Sequence, residues 1–234
     1  MFLVESRLQW AIDYNDKSPL ENHHIASTFN VIQREEYNIF KNLSNSEFKE
    51  VRKNMIELVL ATDAAMHFTE LAKFKSRVSA DDFSPGKDDK LTVLKMAVHL
   101  SDISNPAKNF DLAFIWTGLL YDEFFKQGDQ EQLAGRDCSF LMNRKTTNIA
   151  GCSVGFINMF VTPAYEELVK VIPLAQKCVD NLNANKNKWD ELKEEFKKKM
   201  ESGDNYILES RGKIKEKSSA FPSIKSKMNS YRNN

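Results

Sequence analysis

Glycine and proline are scarce in this chain, eight and six among 234 residues, and long apolar runs are missing altogether. Few breakers leave room for long regular elements. The stretches between them repeat apolar residues at a spacing near 3.6 rather than in alternation, which predicts an all-helical (all-α) fold. No stretch approaches the roughly 18 uninterrupted apolar residues of a membrane span, and 28% of the chain is charged. No membrane segment is therefore expected, and the location is expected to be cytoplasmic. Three cysteines, Cys138, Cys152 and Cys178, are an odd number without CxxC spacing. They argue against a disulfide framework or a zinc knuckle and fit a reducing compartment. An excess of one charge is also missing, with 33 basic and 33 acidic residues. That balance is a sum of unlike parts: from Arg211 to Asn234 there are seven basic residues and one acid. The body is mildly acidic and has no basic patch interleaved with aromatics, so no nucleic-acid partner is expected. The predicted division is a folded part over residues 1–200 and a polar basic tail over 201–234.

What is present is helix-forming pattern. Ser44-Asn45-Ser46-Glu47 has capping-box spacing, and Phe48, Val51, Met55, Ile56, Val59 and Leu60 follow on one stripe, predicting one long helix over 44–76. Ser79 to Asp89 reads as a loop. A helix is expected from Lys90 to about Asp102, stopped by Asn105-Pro106, and another over Phe110–Leu133. Thr162-Pro163 predicts an N-cap and first-turn proline opening a helix toward Val171. Lys186 to about Ser202 reads as a charged surface helix.

Four groups of residues could carry chemistry. Glu21 and His24 are three apart, so on a helix the carboxylate can orient the imidazole, although a surface pair without a task has the same spacing. Asp63 and His67 are four apart on the long predicted helix, and an aspartate within the apolar Leu58-Val59-Leu60-Ala61-Thr62-Asp63 stretch needs a partner. Asp102 falls in the last turn of its helix, where the macrodipole disfavours a carboxylate and a nearby metal ion would reverse the sign. Glu123 to Glu131 is acidic and interrupted by Gly128. The residues alone support a helical domain with carboxylates and histidines that could surround a metal, and they name no reaction.

In order, Tyr14-Asn15-Asp16, Leu20-Glu21-Asn22-His23-His24, Ala61-Thr62-Asp63, Asp102-Ile103-Ser104-Asn105-Pro106, Trp116, Glu123-Phe124-Phe125-Lys126-Gln127-Gly128-Asp129 and Gly155-Phe156-Ile157 resemble the catalytic domain of the class I 3',5'-cyclic-nucleotide phosphodiesterases. The resemblance covers about residues 2–195. It implies a compact multi-helix, HD-type domain that hydrolyses cyclic AMP, cyclic GMP or both with two divalent ions, zinc and magnesium, and it leaves a homodimer open. By position, Asp102 matches a metal ligand. Glu21, His24, Thr62 and Asp63 match residues that orient metal-bound water. Asn105, Thr117, Leu120, Phe124 and Phe156 match the nucleotide pocket, with Phe156 on the aromatic clamp.

The departures from the family pattern are as informative. The family's HNxxH motif and its HD motif followed by HPG, which carry the general-acid histidine and most metal ligands, correspond to sequence before Met1. The chain is therefore expected to lack the family's first helices, to contain no catalytic general acid and to be inactive alone. Ser153 stands where the family has a glutamine that hydrogen-bonds the purine, so substrate preference is not legible and purine affinity is expected to drop. Ala64 replaces a frequent methionine, and Asn143 a common aspartate. The alternative is a degenerate, non-catalytic domain that binds a nucleotide or a partner.

Overall fold

The computed structural model describes residues 2–202, all helical or irregular with no strand among them. The basic tail expected from 201 onward lies outside them, save for its first two residues. The helices are α1 (Phe2–Glu5), α2 (Gln9–Asp13), α3 (Pro19–Ile32), α4 (Asn45–Leu60), α5 (His67–Val78), α6 (Lys90–Asp102), α7 (Phe110–Leu133), α8 (Ile149–Phe156), α9 (Thr162–Val169) and α10 (Gln176–Ser202). The chain forms two compact units, one of Met1–Ser104 with Phe160–Val179, the other of Asn105–Met159 with the chain from Asp180 onward.

In the first unit, Ile25, Phe29 and Ile32 recur along one face of α3 and bury themselves against Phe48, Met55, Ile56 and Val59 of α4 and against Phe40. Each such side chain, fully buried, contributes about 1.5–3 kcal/mol. The capping box at Ser44 starts α4 as expected: Ser44 N–H donates to Glu47 Oε2 at 2.8 Å and the Ser44 hydroxyl accepts from the Glu47 N–H at 3.4 Å. The single helix expected over 44–76 is broken. α4 ends at Leu60, and a 3-10 turn over Ala64–Met66 leads into α5. Short polar side chains explain the break, because both offer the backbone a local alternative to the helix. The Thr62 hydroxyl donates to the Val59 carbonyl at 2.7 Å, and Asp63 Oδ1 accepts from the Ala65 N–H at 2.9 Å. The loop after α5 closes on Arg77, which donates to Asp82 and Asp89. α9 packs in this unit, with the Tyr165 hydroxyl donating to the Leu100 carbonyl of α6 at 3.0 Å.

The second unit is built on α7 and α10. Trp189, buried on α10, stacks on Phe114 of α7 with centroids 5.5 Å apart. The surface helix expected from Lys186 starts ten residues earlier, at Gln176, and buries Val179, Leu182, Trp189 and Phe196 along one face. Its asparagines hold the turn after Asn105: Asn181 donates to the Ala107 carbonyl at 2.8 Å, and Asn185 donates to those of Pro106 and Lys108 at 2.7 Å each. Gly128 has to be glycine, since a Cβ there would lie 2.0 Å from the Met142 carbonyl oxygen.

Thr162 does not cap a helix. α8 runs into a π-helical segment, Ile157–Val161, and that runs directly into α9, so Thr162-Pro163 lies inside a continuous helical run. The wider π turn tolerates the proline because the ladder is already displaced there. α9 ends at Val169, two residues before the expected Val171.

Candidate active site

The metal-side candidates all belong to the first unit. Glu21 and His24 lie in the first two turns of α3, Thr62 and Asp63 in the elbow between α4 and α5, and Asp102 is the last residue of α6. Glu21 registers the others electrostatically. Partial burial pushes its carboxyl up and its own backbone N–H opposes this, while the charges of Asp63 and Asp102 add to the rise and His24 draws it down. The net direction is upward, with burial as its largest cause. Asp63 is held at both oxygens, by the Ala65 N–H at Oδ1 and by the Ser18 hydroxyl at Oδ2, 2.7 Å away. The Thr62 hydroxyl is occupied by the Val59 carbonyl. His23, beside His24, stacks on Trp10 with centroids 3.8 Å apart and contacts the Ser27 hydroxyl at 3.3 Å.

The expected pairing of Asp63 with His67 is not formed. Asp63 is outside any α-helix, and His67, 2% exposed, places Nδ1 2.8 Å from Nε2 of His99, itself 3% exposed. A single ring hydrogen between the two nitrogens satisfies that contact. Among the described residues no group of three or more His, Cys, Asp or Glu side chains is placed to hold a metal ion. Asp102 therefore does not fit, with the described residues alone, into a complete metal centre.

The nucleotide-side candidates belong to the second unit. Asn105 opens a 3-10 turn, Asn105–Ala107, whose carbonyls the α10 asparagines hold. Trp116, Leu120 and Phe124 recur every four residues on α7 and form one face with Thr117 beside it. Trp116 and Leu120 stay 47% and 41% exposed, so this face is not spent on core packing. Ser153 and Phe156 are three apart on α8 and share a face. Tyr121 of α7 bonds Cys152 of α8, next to Ser153, while burial pushes the Cys152 thiol up. The Ser153 hydroxyl donates to the Ile149 carbonyl at 2.8 Å, so its only proton is used within its own helix.

Three features were not visible in the sequence reading. The tie of Ser18 to Asp63 joins residues 45 positions apart. The His67–His99 contact joins residues 32 positions apart, which no local spacing reveals. Glu131 is 1% exposed and accepts from the Ser139 N–H, the Ser139 hydroxyl and the Gln127 amide, although it belonged to a segment that read only as acidic and interrupted by glycine.

The family model for 3',5'-cyclic nucleotide phosphodiesterase matches residues 1–182. The chain is similar to the dual specificity calcium/calmodulin-dependent 3',5'-cyclic nucleotide phosphodiesterase 1B of Mus musculus, 40% identical over 181 residues, covering 77% of this chain and 32% of that protein. The Homo sapiens protein of the same name gives the same identity and coverage. The chain thus spans about a third of the length of the curated relatives it matches. Among solved structures it is similar to the phosphodiesterase domain of the Salpingoeca rosetta rhodopsin phosphodiesterase, with TM-score 0.77, 30% identity, and coverage of 86% of this chain and 62% of that one. With the match reaching from the first residue through α9 and with an all-helical structure to go with it, the chain belongs to the 3',5'-cyclic nucleotide phosphodiesterase family.

Proposed function

We propose that this chain is the larger part of a catalytic domain that hydrolyses 3',5'-cyclic nucleotides to 5'-nucleoside monophosphates in cyclic-nucleotide signalling in the cytoplasm. The observation that carries the reading is the match of residues 1–182 to the 3',5'-cyclic nucleotide phosphodiesterase family model. Two divalent ions, zinc and magnesium, would polarise the phosphate and activate water when bound in a complete domain. Asp102 would be this chain's contribution to holding them. Glu21, His24, Thr62 and Asp63 then orient groups around Asp102 rather than bind metal themselves.

On the nucleotide side, Phe156 and Phe124 offer aromatic faces to a base, Leu120 an apolar wall, and Asn105 and Thr117 polar groups. Ser153 has only acceptor capacity left once its proton is given to Ile149, so it contributes little to telling adenine from guanine. That same observation favours a second reading, a domain that binds nucleotides without turning them over.

The test is turnover of cyclic AMP and cyclic GMP with zinc and magnesium present, by the chain alone and by the chain preceded by a segment carrying the HNxxH and HD motifs. The expected outcome is no turnover alone, turnover of both nucleotides by the extended chain, and loss of at least about a hundredfold on Asp102→Ala in the extended chain. A well-folded extended chain that binds cyclic nucleotide without hydrolysing it decides for the second reading.

A further inference from the structure

His67 and His99 are the two histidines that the proposed chemistry leaves unused, and they are the two that are buried. Their contact, His67 Nδ1 to His99 Nε2 at 2.8 Å, has room for one hydrogen. The outer nitrogens, His67 Nε2 and His99 Nδ1, are buried and make no hydrogen bond among the described residues. Two neutral rings carry one hydrogen each, so with one hydrogen between the rings the other sits on an outer nitrogen. The opposite outer nitrogen is then a bare lone pair, and the next proton goes there. A further one would set N–H against N–H across the 2.8 Å contact.

The surroundings decide what that proton does. His99 lies in the last turn of α6, where the macrodipole favours a positive charge, whereas His67 opens α5, where it is disfavoured. Asp102, the Ala61 backbone and Glu70 favour a charge on His99, and the Phe160 backbone favours one on His67. Glu70 is already bridged by Lys73 at 2.8 Å, Lys95 of α6 is held by Glu57 of α4, and Asp63 is held by Ser18 and Ala65. Burial outweighs these influences and lowers both rings, so a proton favours whatever opening hydrates them. The opening closest to hand is the elbow between α4 and α5. It is a short 3-10 turn ending at His67, tied by the Met66 N–H to the Asp63 carbonyl at 2.9 Å, and Met66 and Phe68 on either side of the buried ring are 38% and 54% exposed. We propose that the His67–His99 pair is a proton-operated catch: neutral, it pins the start of α5 to the end of α6; protonated, it parts and the elbow opens. The catch does not depend on the reaction proposed above.

The test follows the 234-residue chain by NMR between about pH 7.5 and about pH 5. It reads the ring nitrogens of His67 and His99, and the exchange of the Ala65 and Met66 amides corrected for its intrinsic pH dependence, with Phe29 and Ile32 of α3 as reference. The rings are expected to be neutral at the upper end and to take up a proton below the ordinary histidine value of 6.5. In step with that uptake, Ala65 and Met66 are expected to open at least about tenfold more often at the lower end, while α3 is unchanged. His99→Gln keeps an amide for His67 to bond but cannot titrate, and it is expected to remove the pH dependence at Ala65 and Met66. An equal rise in His99→Gln overturns the catch. So does proton uptake with no change at the elbow, and so does loosening of α3 in step with it, which is global unfolding. Should the variant not fold, the wild-type chain decides alone: elbow opening that tracks ring protonation supports the catch, and opening at a different midpoint, or rings still neutral at the lower end, overturns it.

Discussion

At the scale of single residues, the molecule keeps several ionisable groups inside and satisfies them in different ways. Burial raises the Glu131 carboxyl, but the Ser139 N–H, the Gln127 amide, the Ser139 hydroxyl and the nearby Arg136 outweigh it, and the net direction is downward. A depressed carboxylate stabilises the fold above its ordinary range, near 4.5, and loses that contribution as pH falls through its folded value. Glu131→Ala leaves the Ser139 N–H without its acceptor, and we expect a loss of about 2–3 kcal/mol in unfolding free energy, measured in urea. The His67–His99 pair behaves differently. Burial lowers the His67 imidazole and the His99 charge adds to this; burial lowers His99 too, against Asp102, the Ala61 backbone and Glu70. Both are held neutral, so as pH falls the unfolded chain takes up protons first. The pair's stabilisation is complete above the ordinary histidine value of 6.5 and declines below it. The melting temperature should drop between about pH 7 and about pH 5.5, and the drop should shrink in the double variant His67→Phe, His99→Phe. A pH-independent melting temperature across that window would contradict the neutral pair.

At the scale of elements, local chemistry decides where helices start and stop. Removing the Ser44 cap by Ser44→Ala should cost about 1 kcal/mol, read as a lower urea midpoint with an unchanged slope. Gly128→Ala should cost more, because its Cβ meets backbone rather than a movable side-chain tip; a loss of about 2 kcal/mol or more is expected. The starts and ends of α6 and α7 were legible because apolar period, Asn-Pro and sparse breakers all agree there. The break between α4 and α5 was not, since the apolar stripe continues through it and only the side-chain bonds of Thr62 and Asp63 show why the backbone leaves the helix. The early start of α10 was hidden for the opposite reason: its residues are mostly polar, and burial of single residues such as Leu182 and Trp189 takes a partner surface to reveal. Among site residues, Glu21, His24, Asp63 and Asp102 could be picked from motif order. What Asp63 bonds to could not, because spacing says nothing of a serine 45 positions away.

At the scale of the whole chain, neither unit is a continuous stretch of sequence. The first is completed by Phe160–Val179, which brings Phe160 against His67, with ring centroids 5.0 Å apart, and Tyr165 onto Leu100. A chain stopped at residue 159 should therefore lack the first unit's cooperative transition in a circular-dichroism melt, even though α1 to α6 are all present. The same discontinuity sets an order of events on the ribosome. When α6 emerges, Tyr165, the partner of Leu100, and Phe160, which packs on His67, have not yet been made, and some sixty further residues, at about 5–20 per second, must appear before α9 arrives. For those several seconds the nascent chain exposes the buried faces of α5 and α6, and this interval is where a chaperone would find it.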